Sequence, residues 1–139
     1  MNSRSGLTES VIVPVLAGGG ARLSAHIGVL DAIRELNLGY DTLVGVSGGS
    51  IVGALHAAGK SCDELLRIAE NTDFSQFSSQ NLVSLLRTGG FSNGDHFERW
   101  IDEQLEGRTF SDLQLDYHVV ATDVRTGQPH IFSRETHPD

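Results

Sequence analysis

Two glycine-rich clusters hold the residues of this sequence best suited to chemistry. The first, Gly45-Val46-Ser47-Gly48-Gly49, fits the pattern G-x-S-x-G. A serine on a tight strand-to-helix turn needs small neighbours, because larger side chains would meet the flanking elements. Such a turn lifts the Ser47 hydroxyl clear of the sheet. It also leaves the serine at a helix N-terminus, where the positive end of the dipole favours developing negative charge. The flanking sequence suits both demands, since residues 42–46 form a short apolar run and residues 50–58 are small and nearly all apolar. The functional reading is a nucleophilic serine with Gly45 and Gly49 as its supporting small residues. The plainer reading is a glycine-rich turn without chemistry.

The second cluster, Gly18-Gly19-Gly20-Ala21-Arg22, follows an apolar run at residues 11–17. Three consecutive glycines expose backbone N–H groups that can bind phosphate or cradle an oxyanion. Neither the G-x-x-x-x-G-K-[ST] loop nor the G-x-G-x-x-G fingerprint runs from it. Beside Ser47 the cluster supplies what acyl transfer needs, amide donors for a tetrahedral oxyanion. Arg22 adds positive charge there, or is simply a surface cation at a helix start. A phosphate-binding α/β protein is the competing use of the same loop.

The elements that must position these clusters alternate. The run 11–17 reads as a strand buried on both faces, against which Pro14 is a mild objection. Ile27, Leu30, Ile33 and Leu36, with Val29 beside them, mark a helix that stops at residues 37–39. Residues 42–46 are a second strand, and 50–58 a helix apolar enough to be interior. Ser61 and Glu64 form a capping box ahead of Leu65, Leu66, Ile68 and Ala69. Leu82, Val83, Leu85 and Leu86 form a further amphipathic patch before Gly89-Gly90. Asp95 is positioned to cap a helix carrying Phe97, Trp100, Ile101 and Leu105, which stops at Gly107. Residues 115–124 read as a strand, Thr126-Gly127 as a turn, and Ile131-Phe132 as the start of a hairpin partner. Strands joined by helices imply an α/β fold with a mostly parallel sheet in three α/β/α layers.

Composition bounds the partners. The 139 residues include 39% hydrophobic and 20% charged types, which suits one globular domain. Ten basic against 18 acidic residues leave a formal net charge of −8. That balance argues against a nucleic-acid or anionic-membrane binder held by charge. A lone cysteine, Cys62, excludes an internal disulfide framework and a multi-cysteine zinc site. A place beside a helix N-cap is one that can lower a thiol's pKa and make it reactive; a structural role is the plainer reading. No apolar window approaches the roughly 20 residues of a membrane span, and residues 1–10 read as a polar tail without a signal-peptide core. The expectation is a soluble, cytoplasmic protein. Six of the 16 glycines sit in the two clusters.

With these residues in order, the sequence resembles the patatin-like phospholipases. The likeness is carried by Gly18-Gly19-Gly20-Ala21-Arg22, His26-Ile27-Gly28-Val29-Leu30, Gly45-Val46-Ser47-Gly48-Gly49 and Ala121-Thr122-Asp123-Val124-Arg125-Thr126-Gly127. It spans about residues 11–133, within a domain read as 11–139. The resemblance implies a three-layer fold and a Ser–Asp dyad that hydrolyses acyl lipids without cofactor or metal. By motif match Ser47 would be the nucleophile and Gly18, Gly19, Gly20 and Gly48 the oxyanion hole. The implied partner is an acyl lipid, with transient membrane contact; no nucleic acid is expected. Leu23 stands where the family usually has glycine. The family's aspartate lies in an Asp-Gly motif, and this sequence holds no Asp-Gly dipeptide. The expectation is therefore a domain that stops before the motif, with a catalytically inactive lipid-binding or regulatory domain as the alternative.

A histidine base is the remaining option. Ser47, Asp123 and His130 or His137 fall in the chain order of a Ser–Asp–His triad, which is a weak criterion in a chain with six histidines. Asp116 and Asp123 read more simply as strand and turn residues. His26 and His56 read as helix-packing or surface residues near the glycine loops, and His96 and His118 carry no signal. No pair has H-x-x-x-H spacing, so no zinc site is expected.

Overall fold

A computed structural model describes residues 12–19, 22–72 and 92–139. The elements run β1 (Val15–Leu16), α1 (Ser24–Glu35), β2 (Thr42–Val46), α2 (Gly48–Ala57), α3 (Cys62–Asn71) and α4 (Ser92–Leu105). A short 3-10 turn at Phe110–Asp112 then leads to β3 (Asp116–Thr122) and β4 (Pro129–Phe132). The strands form one sheet in the order β1-β2-β3-β4, parallel except for the antiparallel β3–β4 hairpin. This is the α/β fold with a mostly parallel sheet that the element order implied.

The sheet register explains where the core lies. Leu16 pairs with Gly45, and Leu43 with Tyr117, on one face. The side chains of Leu16, Leu43 and Tyr117 join Ile27 and Leu30 of α1, Val52 and Leu55 of α2 and Leu65 of α3 in a single buried cluster. Successive strands that advance in one direction through right-handed crossovers put their helices on the same side. The opposite face presents Val15, Val44, Val46, Val120 and Ile131 by strand alternation. Val15 and Ile131 there are 61% and 49% exposed. The described residues thus build the sheet and one helical layer.

Local signals account for most boundaries. The capping box forms at α3: Ser61 Oγ accepts from the Glu64 amide, and the Glu64 carboxylate accepts from the Ser61 amide at 2.8 Å. α1 ends through Asn37, whose φ of 53° lets the Leu38 amide reach back 3.1 Å to the Ile33 carbonyl. Only Ile27 and Leu30 of its apolar stripe are buried, while Val29 and Leu36 are exposed.

Three boundaries depart from the sequence reading. β1 holds two residues rather than the full apolar run: Pro14 has no N–H for a ladder, and its carbonyl accepts from Val44 at 3.0 Å just before the strand begins. Residue 11 of that run lies outside the described residues. Asp95 is not a cap, because α4 already begins at Ser92. β3 is shorter than residues 115–124, since Asp123 turns the chain. The Leu82–Leu86 patch and the tail 1–10 lie outside the described residues.

Candidate active site

Ser47 sits between β2 and α2 with φ 53° and ψ −130°. A non-glycine residue held there carries roughly 1–3 kcal/mol of backbone strain, which the surroundings must offset. Two hydrogen bonds close the turn. The Ser47 carbonyl accepts from the Ser50 amide at 2.9 Å and from Ser50 Oγ at 2.5 Å. Tyr117, 2% exposed on β3, donates its hydroxyl to the Ser50 carbonyl at 2.7 Å. Burial pushes the Tyr117 phenol far above its ordinary pKa, so it stays protonated and able to donate.

The glycines around the serine are required by space. A Cβ on Gly45 would overlap the Tyr117 hydroxyl and stand 2.7 Å from Ser50 Cα. On Gly53 it would stand 2.7 Å from the same hydroxyl. A Cβ on Gly49 would meet the Leu16 carbonyl and come within 2.5 Å of Ala17 O, so α2 starts directly on the backbone of β1. On Gly48 it would stand 2.5 Å from Leu23 Cδ2. Leu23 is itself buried, and its side chain covers the first residue of α2. The amides of Gly48 and Gly49, in the first turn of α2, belong to the N–H groups that have no partner inside their own helix.

The two glycine clusters meet in space. A Cβ on Gly18 would stand 3.1 Å from Ser47 Cβ and 3.4 Å from Ser47 Oγ. Gly18 therefore lies against the serine, although 29 positions apart in the chain. Gly19 has ordinary room around it, and its carbonyl accepts from the Arg22 amide at 3.0 Å. Gly20 and Ala21 lie outside the described residues. Arg22 is exposed just before α1. His26, in the first turn of α1, donates from Nε2 to the Ala17 carbonyl at 2.8 Å.

The other candidate residues lie elsewhere. Asp123 is engaged in its own turn, accepting from the Arg125 amide at 2.8 Å and the Thr126 amide at 3.3 Å. The Arg125 amide, followed by Thr126, holds its carboxyl below the usual carboxylate range. His130 packs at a tilt against Phe132 and edge-on against His137, with ring centroids 4.6 Å and 5.3 Å away. Asp116 pairs with His118 at 3.0 Å near the start of β3, the strand end opposite Ser47. Among the described residues, no carboxylate or histidine is hydrogen-bonded to Ser47 Oγ. His56 is hydrogen-bonded to Tyr40 at 2.6 Å and is held below its ordinary pKa by burial. Burial also pushes the Cys62 thiol up, the reverse of what an activated cysteine needs. No cluster of three metal-ligating side chains occurs among the described residues, and no described helix is long and apolar enough to cross a membrane.

Sequence reading missed the parts played by His26 and Tyr117. Both act across the fold, His26 over 9 residues and Tyr117 over 67. The one signal for Tyr117 was alternation, which faces a large aromatic toward the glycines of β2 and α2.

The patatin-like phospholipase family model matches residues 15–139. The human patatin-like phospholipase domain-containing protein 6 is 37% identical over 121 residues, covering 85% of this chain and 9% of its own length. The neuropathy target esterase sws of Drosophila grimshawi is 34% identical over 123 residues, covering 85% of this chain and 8% of its own length. The chain thus spans less than a tenth of these relatives. Among solved structures, the type III effector protein ExoU is 18% identical with a TM-score of 0.64, covering 93% of this chain and 37% of that one. The complex of full-length SpcU with full-length ExoU from Pseudomonas aeruginosa contains a chain 20% identical with a TM-score of 0.65, covering 93% and 36% respectively. These two likenesses concern the fold.

Proposed function

Because the chain belongs to the patatin-like phospholipase family, we propose that it is the nucleophile-bearing part of a lipid acyl hydrolase. The carrying observation is the geometry of Ser47, held at φ 53° at the start of α2 with Gly18 against its hydroxyl. In this reading Ser47 Oγ forms a bond to the ester carbonyl carbon while its proton passes to a base. The oxyanion accepts from the amides of Gly18, Gly19, Gly20 and Gly48. Collapse breaks the bond to the alcohol, which takes the proton and leaves. Water then releases the fatty acid by the same route. Arg22 supplies positive charge at the mouth of the loop, and Gly45 and Gly49 let the turn close. The substrates are carboxylic esters of phospholipids or other acyl lipids, met by transient membrane contact.

The base is the aspartate that the family resemblance implies. No described carboxylate bonds to Ser47, and Asp123 is occupied by its own turn. That same observation favours a second reading, a catalytically inactive patatin-like domain that binds lipid or regulates. A chromogenic acyl ester and a serine-reactive fluorophosphonate, applied to the full-length protein, separate the two. Hydrolysis and labelling that both disappear in Ser47→Ala support the hydrolase. A full-length protein that binds lipid vesicles, hydrolyses nothing and takes no label supports the inactive domain.

A further inference from the structure

Three elements converge on the carbonyl of Ala17. Ala17 follows β1 directly, and His26 of α1 lies 2.8 Å from its carbonyl through Nε2. From the other side, α2 packs so closely that a Cβ on Gly49 would stand 2.5 Å from the same oxygen. The Ala17 carbonyl and the Gly18 N–H belong to one planar trans peptide and point in opposite directions. Whatever fixes the carbonyl therefore fixes the direction of that N–H. Gly18 in turn lies against the Ser47 side chain.

We infer that His26 is a positioning residue, which sets the Gly18 peptide beside Ser47 by donating Nε2–H to the Ala17 carbonyl. The loop needs such a clamp. Consecutive glycines have the largest backbone freedom of any segment, and an oxyanion cradle stabilises charge only when its donors are already aimed. The start of α1 offers little else, since its N-cap residue Leu23 makes no side-chain cap bond. The remaining tie within the described part of the loop is the Arg22 amide to the Gly19 carbonyl. That bond shapes the turn but leaves the Ala17–Gly18 peptide unheld. The catalytic consequence rests on the hydrolase reading above; the geometry of the clamp does not.

The test compares the full-length protein with its His26→Ala and His26→Gln variants. Glutamine places an N–H donor where the imidazole Nε2–H stood, and alanine removes it. The first readout is fluorophosphonate modification of Ser47, whose tetrahedral adduct uses the same amide donors. His26→Ala is expected to lower the limiting rate constant roughly tenfold to a hundredfold, with the half-saturating probe concentration unchanged. His26→Gln should largely restore it, and both variants should melt within about 5 °C of the parent. A merely structural histidine would move the melting temperature without that split. Equal rate constants in all three proteins overturn the inference and leave Ser47 as nucleophile. If the parent itself takes no label, the hydrolase reading fails, and the amide spectrum decides the clamp. A Gly18 resonance that moves in His26→Ala and returns in His26→Gln upholds it; one that stays in place overturns it.

Discussion

At the scale of single residues, Ser47 shows how a strained position is held. Its φ of 53° is offset by two hydrogen bonds from Ser50, which is in turn held by Tyr117. Tyr117→Phe deletes the hydroxyl but keeps the ring between Gly45 and Gly53. The expected loss is about 1 kcal/mol, the net worth of an ordinary hydrogen bond, measured by urea unfolding. Gly49→Ala is a harsher change, because the added carbon meets backbone carbonyls of β1 that cannot rotate away. It should cost about 3 kcal/mol in the same experiment. The serine and its glycines were readable in the sequence because the turn demands small residues at adjacent positions. Gly18 and Ser47 were readable as two clusters, but their meeting came only with the parallel pairing of β1 and β2. The hydrogen bonds of His26 and Tyr117 are not readable in the sequence, because a bond to a distant backbone carbonyl leaves no local pattern.

The elements followed their local chemistry where that chemistry was complete. The Ser61–Glu64 box predicted the start of α3, and the structure forms both of its bonds. Ser61→Ala should lower stability by about 1 kcal/mol in thermal or urea unfolding. Where a single signal stood alone it misled. Asp95 is a good cap by type, yet α4 starts three residues earlier. The apolar run of β1 was cut to two residues by Pro14. The contact between α2 and the segment ahead of β2 adds a pH response. Burial holds the His56 imidazole below its ordinary value, beside Tyr40. Below about pH 6.5 the unfolded chain gains a proton that folded His56 resists. The stability contributed by neutral His56 is thus full above that pH and declines as pH falls toward the folded value. The urea midpoint should drop between pH 7.5 and 5.5, and His56→Gln should flatten that drop.

At the scale of the whole molecule, the described core is one-sided. Leu43 and Tyr117 face the helices and are buried, whereas Val15 and Ile131 face the other way and are exposed. Leu43→Ala should therefore cost about 2–5 kcal/mol. Val15→Lys should change stability by no more than about 0.5 kcal/mol. Equal losses at both positions would show that the second face is covered as well. The parallel sheet and its helical layer were readable from the alternation of short apolar runs with amphipathic ones. Which face the crossovers cover was not, because strand order is a long-range property that no single segment encodes.

The proposed role of Ser47 is that of an acyl-accepting nucleophile. The most direct measurement incubates the full-length protein with a short p-nitrophenyl ester, quenches it in acid and maps the acyl group by peptide mass spectrometry. One acyl group on the peptide containing Ser47, and none in Ser47→Ala, is the expected result. Release of p-nitrophenolate at the same rate by both proteins, with Ser47 unmodified, would contradict it.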